Sequence, residues 1–591
     1  MKLRRTLPLG LALVLFMGGC WTDYAQVAGP EAVSSASSTG SSPVPSTDNV
    51  FAVGSGIVEV FVNGAPLGKA TTEGALVSGT SALVPGSENL IALRATRGQA
   101  SLPSVYAEVS GAFGKAGSSK QWKAKVATDA EASGTMEAIA SLDYDDSTWS
   151  KATDVGMSPP SVFPTASPAA GIWSDGAGDA TVLFRLKLYV PSGYTTSRPR
   201  GFGGLVTGGA GGDEVTVSTI AELAAALCST RSGSTCTDTT PRIIHVPSQL
   251  FDFTGTEGTI TTTGCYVQQC SSGESELITD VLGGCNGKTT FDVTLDSAGL
   301  APLLVGSNKT VLGTGPGAVI KGKGLRLGGG VSNIILRNIT FASINPQTVW
   351  GGDAITLDNA DNVWIDHNRF SLIGRHMLVT GFGKSPNVTV SWNEFDGATP
   401  YSATCNGSHY WVMLLTGAGG MTIENNWIHD TSGNGPQVGG AEGSAVTMHL
   451  VNNYYTHVPG HAIDPKSYSS LSMGAVTDTW ATQMLLEGNV FLDVDTPITI
   501  GKMTTTATYS YGPGFAFAPL ASTLSNTTSA CQPALDRDCT ENLANPESGT
   551  FPLDAQAVDA FSSVSSSFKM APYPAGEVPN VVPHLAGPGH L

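Results

Sequence analysis

Between about residue 330 and residue 490, apolar and polar positions alternate in short bursts, and most bursts stop at an asparagine. Five segments align by eye: VWIDHN (Val363 to Asn368), VTVSWN (Val388 to Asn393), MTIENN (Met421 to Asn426), MHLVNN (Met448 to Asn453) and MLLEGN (Met484 to Asn489). A period of two over so few residues predicts strands. The asparagines recur at steps of 25, 33, 27 and 36 residues. That is a solenoid spacing with variable insertions between coils. One coil cannot bury its own apolar face, so the coils must stack. Asparagines at matched bends can pass amide hydrogen bonds from coil to coil, which makes them structural. Asn333 to Phe341 (NIILRNITF) reads as a further coil, with Ile339 in the asparagine slot. Residues 200–591 are therefore expected to form one parallel β-helix.

Upstream the pattern changes. Ile57 to Val62 alternates and runs into Asn63-Gly64, a hairpin signal. Pro85-Gly86 leads into Asn89-Leu90-Ile91-Ala92-Leu93, and Thr181 to Val190 (TVLFRLKLYV) reads as a closing strand. Residues 50–195 are expected to be a β-sandwich, with Trp149 and Trp173 in its core. Ser192 to Gly201, with Arg198-Pro199-Arg200, links it to the solenoid. Residues 21–49 are rich in serine, lack a hydrophobic period and read as a flexible tether. Residues 1–20 read as an export signal: Lys2, Arg4 and Arg5 precede an apolar run from Leu7 to Met17 that is too short to span a bilayer. The run ends at Met17-Gly18-Gly19-Cys20, which resembles a bacterial lipobox with Met at the position where Leu is usual. Cys20 is the lipidation site this implies, giving an exported chain anchored to the outer membrane or cell surface, or released.

Composition sharpens this picture. Hydrophobic residues make up 41% and charged ones 13%, so large cores can be buried, and 72 glycines fit many turns. The net charge of −18 leaves no cationic excess for nucleic acid and weakly disfavours a strongly anionic polymer. Without Cys20, the nine cysteines leave an even number, consistent with disulfides in an oxidising compartment. They offer no CxxC and no neighbouring histidine pair, so no metal site and no cofactor is expected.

The order VNG, PGxENLIAL, DDSTW (Asp145 to Trp149) and FRLKLYV in the N-terminal part resembles galactose-binding-like jelly-roll modules, as sugar binder or as spacer. A longer likeness lies downstream. VWGGDAITLD (349–358), VWIDHN, IGRH (373–376), YSATCNGSHYW (401–411), HDTSGNGP (429–436), PGHA (459–462) and EGNVF (487–491) resemble successive landmarks of fungal-type pectin lyases, within the pectate lyase superfamily. The likeness begins near Phe253 and continues through Cys531 and Cys539. It implies a right-handed parallel β-helix and the disulfides Cys265–Cys285, Cys270–Cys405 and Cys531–Cys539, with Cys228–Cys236 left to close a local loop. It also implies cleavage of methyl-esterified polygalacturonan by β-elimination, by a chain expected to be a monomer.

That reaction needs a base for the proton α to the uronyl carbonyl and a positive group for the enolate that forms. The resemblance puts Arg375 where related pectate lyases use calcium, which implies calcium independence, with Asp353 orienting it; a purely structural ion pair is the alternative. His376 reads as a packed or rim residue. Trp350, Tyr410 and Trp411 stand as sugar platforms or as core, and Trp364 and Trp392 as buried. Asp366 and His367 read as a structural hydrogen-bonded pair. The family pattern TSGR-x-P-K then breaks: Asn434 stands in the slot of the arginine regarded as proton acceptor, and Gln437 in that of the lysine. Thr416 and Gly420 also depart from positions that are often Asp. A carboxamide has no useful basicity, so Lys466, His429 or His461 must serve, or activity is low or lost. The rivals to a lyase are a silent glycan-binding lipoprotein and a uronan hydrolase; for the latter, Glu394 and Asp396 form no convincing triad.

Overall fold

The computed structural model describes residues 48–591 except 193, 272–273, 382, 474, 525–526 and 546–550. The export signal, Cys20 and most of the tether lie outside the described residues. No described helix is long and apolar enough to cross a membrane.

The N-terminal part is two antiparallel sheets. One is built on Asp48–Gly54 and Val105–Gly111, the other on Val58–Val62, Ser87–Thr96 and Thr181–Val190. Asn63 and Gly64 take φ of 49° and 82°, the tight turn expected between Val58–Val62 and Ala65–Lys69. Trp149 and Trp173 are buried, as core residues and not as sugar platforms.

The rest winds through three parallel sheets, called sheets I, II and III in the order the chain visits them. One coil runs Asp361–Asp366 in sheet I, Arg369–Ile373 in sheet II and Leu378–Thr380 in sheet III. The next continues Val388–Ser391, Glu394–Asp396 and Met413–Leu415, in parallel register with the first. This is a parallel β-helix, with a single apolar core along its axis. In sheet II the inward position repeats as Phe341, Phe370 and Phe395, whose rings stack at 5.6 and 4.9 Å.

The bend from sheet I to sheet II carries the asparagine ladder. Asn368 Nδ2 donates to Asn393 Oδ1 at 3.0 Å, Asn393 to Asn426 at 3.0 Å, Asn426 to Asn453 at 2.9 Å and Asn453 to Asn489 at 2.9 Å. Each backbone N–H in the row also donates to the next carboxamide, and Ile339 N–H ends the row on Asn368 Oδ1 at 3.1 Å. Asn542, 53 residues after Asn489, adds a rung that its local sequence does not announce. Replacing Asn426 with the similarly sized leucine strands the N–H of Asn393 and removes the side-chain donor to two backbone carbonyls and to Asn453 Oδ1, while Asn393 Nδ2 keeps Ile365 O and Ser391 O. Buried unpaired groups cost about 1–3 kcal/mol each, so a loss on the order of 3 kcal/mol is expected in denaturant melts.

The outward positions of sheet I are also buried. The linker covers them: Thr389 Oγ1 donates to Arg200 O at 2.6 Å, and Phe202 N–H donates to Thr422 Oγ1 at 3.0 Å. Asp366 and His367 are buried and 2.7 Å apart, the structural pair expected. Trp364 and Trp392 are buried too; Arg337 stacks on Trp364 at 4.1 Å. The sandwich is not hung on a free linker. Tyr189, Tyr194, Trp392, Tyr454, Val578 and Val581 share one core, and Lys115 N–H donates to His590 O at 3.0 Å.

Candidate active site

The residues singled out by chemistry converge on one feature: the connectors from sheet II to sheet III. Trp350 and Asp353 lie between Thr340–Ile344 and Ile355–Asp358, and Arg375 and His376 between Arg369–Ile373 and Leu378–Thr380. His409, Tyr410 and Trp411 lie between Glu394–Asp396 and Met413–Leu415, and Asn434 between Trp427–His429 and Gln437–Gly439. His461 follows on the next coil, within Tyr454–Ser472. Successive coils sit about 4.8 Å apart, so five of them make a wall roughly 20 Å long. Beside it the outward row of sheet III, Thr356, Val379, Leu414 and Gln437, forms a floor.

Local geometry presents the first two groups. Trp350 has φ of +71°, unusual for a bulky residue. Asn345 Nδ2 holds that turn by donating to Gly351 O at 2.7 Å and Asp296 O at 2.9 Å. Gly352 follows at φ +130°, and a Cβ there would meet Gly299 O at 2.1 Å. The Arg375 guanidinium stacks over the Trp350 ring at 3.8 Å and stands 4.0 Å from Asp353 Oδ2. Its side chain is 22% exposed and, among the described residues, makes no hydrogen bond, so its donor edges are free. Burial opposes its charge and Asp353 supports it. Burial also works against the Asp353 carboxylate, but His376 and Arg375 outweigh it and hold that group below its ordinary value. Asp353 Oδ1 accepts from the His376 backbone N–H at 3.0 Å, so its contact with Arg375 is a loose one. His376 is packed, and burial lowers its pKa below the ordinary value.

Trp411 and Tyr410 meet edge to face at 4.9 Å, both half-buried. Trp411 Nε1 donates to Glu276 Oε2 at 3.2 Å, and burial pushes the Glu276 carboxyl up to about 8. Sequence reasoning missed Glu276, which lies 135 residues from its partner. It also passed over His409, whose Nε2 donates to Arg375 O at 2.8 Å and Trp411 O at 3.1 Å and so ties two coils together. Burial drops His409 to about 4. The Tyr410 ring lies so close to Gly433 that a Cβ there would meet it at 2.4 Å.

Asn434 is buried, and its Oδ1 has no partner among the described residues. Its N–H makes a long contact, 3.5 Å, to His461 Nε2. Burial lowers the His461 pKa below its ordinary value. Gln437 sits on the floor beside Asp464, which pairs with Lys466 at 2.7 Å.

Other candidates lie elsewhere. His429 is on sheet II, where Asp430 at 2.7 Å and Glu394 at 3.3 Å overcome burial and push it up to about 9. It is protonated near neutrality and cannot accept a proton, which removes it as a base. Asp396, His429 and Asp430 could offer three metal-ligand atoms, but Arg369 already occupies Asp396 at 2.6 Å and also faces Glu394. No hydrolytic carboxylate triad arises there. Thr416 donates to Thr380 O at 2.7 Å, and Gly420 lies under Phe202 on sheet I, away from the wall. All four disulfides implied by the resemblance and the leftover pair form: Cys228–Cys236, Cys265–Cys285, Cys270–Cys405 and Cys531–Cys539. Cys270–Cys405 pins the connector that carries Tyr410 and Trp411.

Comparison with known proteins gives the family. The Pectate lyase family profile matches residues 278–511. A probable pectin lyase E of Aspergillus fumigatus is 40% identical over 67% of this chain and 95% of its own length. The chain belongs to the pectin lyase family. A second pectin lyase relative, probable pectin lyase F of Neosartorya fischeri, is 40% identical over 70% of this chain and 98% of its own. Among solved structures, a pectate lyase from Bacillus sp. N165 in complex with trigalacturonate aligns at 17% identity and a TM-score of 0.40, covering 66% of this chain and 99% of that one.

Proposed function

We propose that this pectin lyase family member cleaves methyl-esterified polygalacturonan by β-elimination, as a monomer and without calcium. The observation that carries the reading is Arg375: a stacked, partly buried guanidinium with free donor edges in a wall of aromatic residues. A sugar ester lying on Thr356, Leu414 and Gln437 would turn its carbonyl oxygen to that group. As the proton on carbon 5 departs, charge builds on the carbonyl oxygen, and a fixed cation there lowers the barrier without a metal. Electrons then form the double bond between carbons 4 and 5, and the glycosidic oxygen leaves from carbon 4, taking a proton from solvent to become a hydroxyl. His461 takes the proton in this reading: burial lowers its pKa, and its Nε2 stands beside Asn434, giving up the long backbone N–H contact as it accepts.

The test is the ultraviolet absorbance of unsaturated uronide with methylated and unmethylated polymer side by side. Product from the methylated polymer, at an initial rate unchanged by a calcium chelator, is the expected result. Strict dependence on added calcium would overturn the metal-free reading. A second reading, a glycan-binding protein without turnover, is favoured by Asn434 and Gln437 standing where the family motif has cations. It predicts polymer binding with no absorbance at any pH.

The disulfides argue for an exported protein. Within this proposal Cys20 carries a lipid anchor, residues 21–49 are the tether, and the sandwich is a galactose-binding-like module. Mass spectrometry of the mature N-terminus tests the anchor.

A further inference from the structure

Past the wall, Tyr454–Ser472 and Ala475–Glu487 extend beyond the coil as an antiparallel hairpin. Tyr509–Pro513 pairs on its other edge. The two faces of this projecting sheet differ in chemistry. Ser467, Ser469, Thr479 and Ser510 point one way, with Ser469 and Thr479 hydrogen-bonded at 3.0 Å. Tyr468, Trp480, Tyr509 and Tyr511 point the other way. Tyr468 is directly opposite Trp480 on one side and Tyr511 on the other. Its ring lies 6.0 Å from Trp480 and runs parallel to Tyr509 at 5.6 Å.

The aromatic face is continuous with the floor of the cleft. Asp464 is the register neighbour of Gln437, and strand alternation carries Asp464, Lys466 and Tyr468 on one side. Lys466 Nζ bridges the two regions, 2.7 Å from Asp464 and 5.7 Å from the Tyr511 ring. Four aromatics gathered on one face of a thin sheet, opposite a face of hydroxyls, are not needed to close a core. All four keep some exposure. Flat aromatic rings beside a polymer cleft suit the apolar faces of pyranose rings, and the Lys466–Asp464 pair leaves the path close to neutral.

We propose that this hairpin face is a further binding site for the uronate polymer, holding sugar rings beyond those at the catalytic wall. The proposal rests on the cleft reading above. Affinity electrophoresis of the full chain through gels containing methylated polygalacturonan measures it, with every variant, parent included, carried in an Arg375→Ala background that suppresses turnover. Tyr468→Ser combined with Trp480→Ala is expected to weaken retardation about 10-fold, two aromatic contacts being lost. Ser469→Ala on the opposite face is expected to run like the parent. Should the double variant melt early, Tyr509→Ser at the exposed edge replaces it, with a smaller loss in the same direction. Equal retardation of parent and folded aromatic variants, or no retardation of the parent, overturns the proposal. The product assay runs in parallel, with Arg375 intact, and separates the two readings. Retardation without product sinks the lyase reading alone, and product with unaltered retardation sinks the hairpin site alone.

Discussion

Arg375→Ala is expected to lower kcat/KM on methylated polymer about 100- to 1000-fold, the usual loss when a preorganised donor to a developing oxyanion is removed. The effect should fall mainly on kcat, because the guanidinium is asked to bind charge that exists only as the proton leaves. Arg375→Lys keeps the charge but loses the planar fork and its stack on Trp350, so an intermediate rate is expected. The structural alternative predicts something else. If Arg375 only closes the turn against Asp353, alanine should lower the melting temperature while the folded fraction keeps its specific activity. The 4.0 Å gap to Asp353 and the absence of side-chain hydrogen bonds among the described residues argue for the first outcome. Asp353 keeps its bond from the His376 N–H when Arg375 is removed, so the carboxylate is not left without a partner. Steady-state kinetics with thermal melts on the same preparations separate the two.

The parts of this molecule that repeat were legible in the sequence, and the parts that depend on distant pairing were not. Asn368, Asn393, Asn426, Asn453 and Asn489 could be read because one bend geometry imposes one side chain at every coil. Asn542 makes the same bonds after a long excursion, and without the strand pattern beside it nothing local marks it. Arg375 and Trp350 each appeared as candidates, yet their stacking depends on two coils coming into register, which the chain states only through the lengths of its insertions. Glu276 was invisible for a stronger reason. It is an acid in a polar stretch, and only the fold buries it against the Trp411 indole. His429 misled because only Asp430 of its acidic surround is adjacent in sequence, while Glu394 and Asp396 come from the preceding coil. Seen alone it is an ordinary histidine; between carboxylates it is a cation.

His461 carries the second large expectation. Asn434 cannot accept a proton, and Lys466 is occupied by Asp464. His461 Nε2 stands at the same connector, held only by a long contact from the Asn434 N–H. His461→Gln keeps the size and a hydrogen-bonding tip but removes basicity, and a fall in kcat of about 100- to 10,000-fold is expected. The pH profile gives an independent sign. Only the neutral imidazole accepts, so kcat/KM should rise with pH through the His461 pKa and level off above it. Burial lowers that pKa from the ordinary 6.5, so the acid limb should lie below that value. A basic group of the lysine or arginine kind would instead keep the rate climbing toward the alkaline end. Introducing Asn434→Arg into the His461→Gln background tests whether the slot still faces the substrate: recovery of part of the rate, with the profile moved to higher pH, ties both positions to one proton. Wild-type turnover in His461→Gln, with the acid limb in place, would remove His461 from the mechanism and leave Arg375 to be paired with a different acceptor.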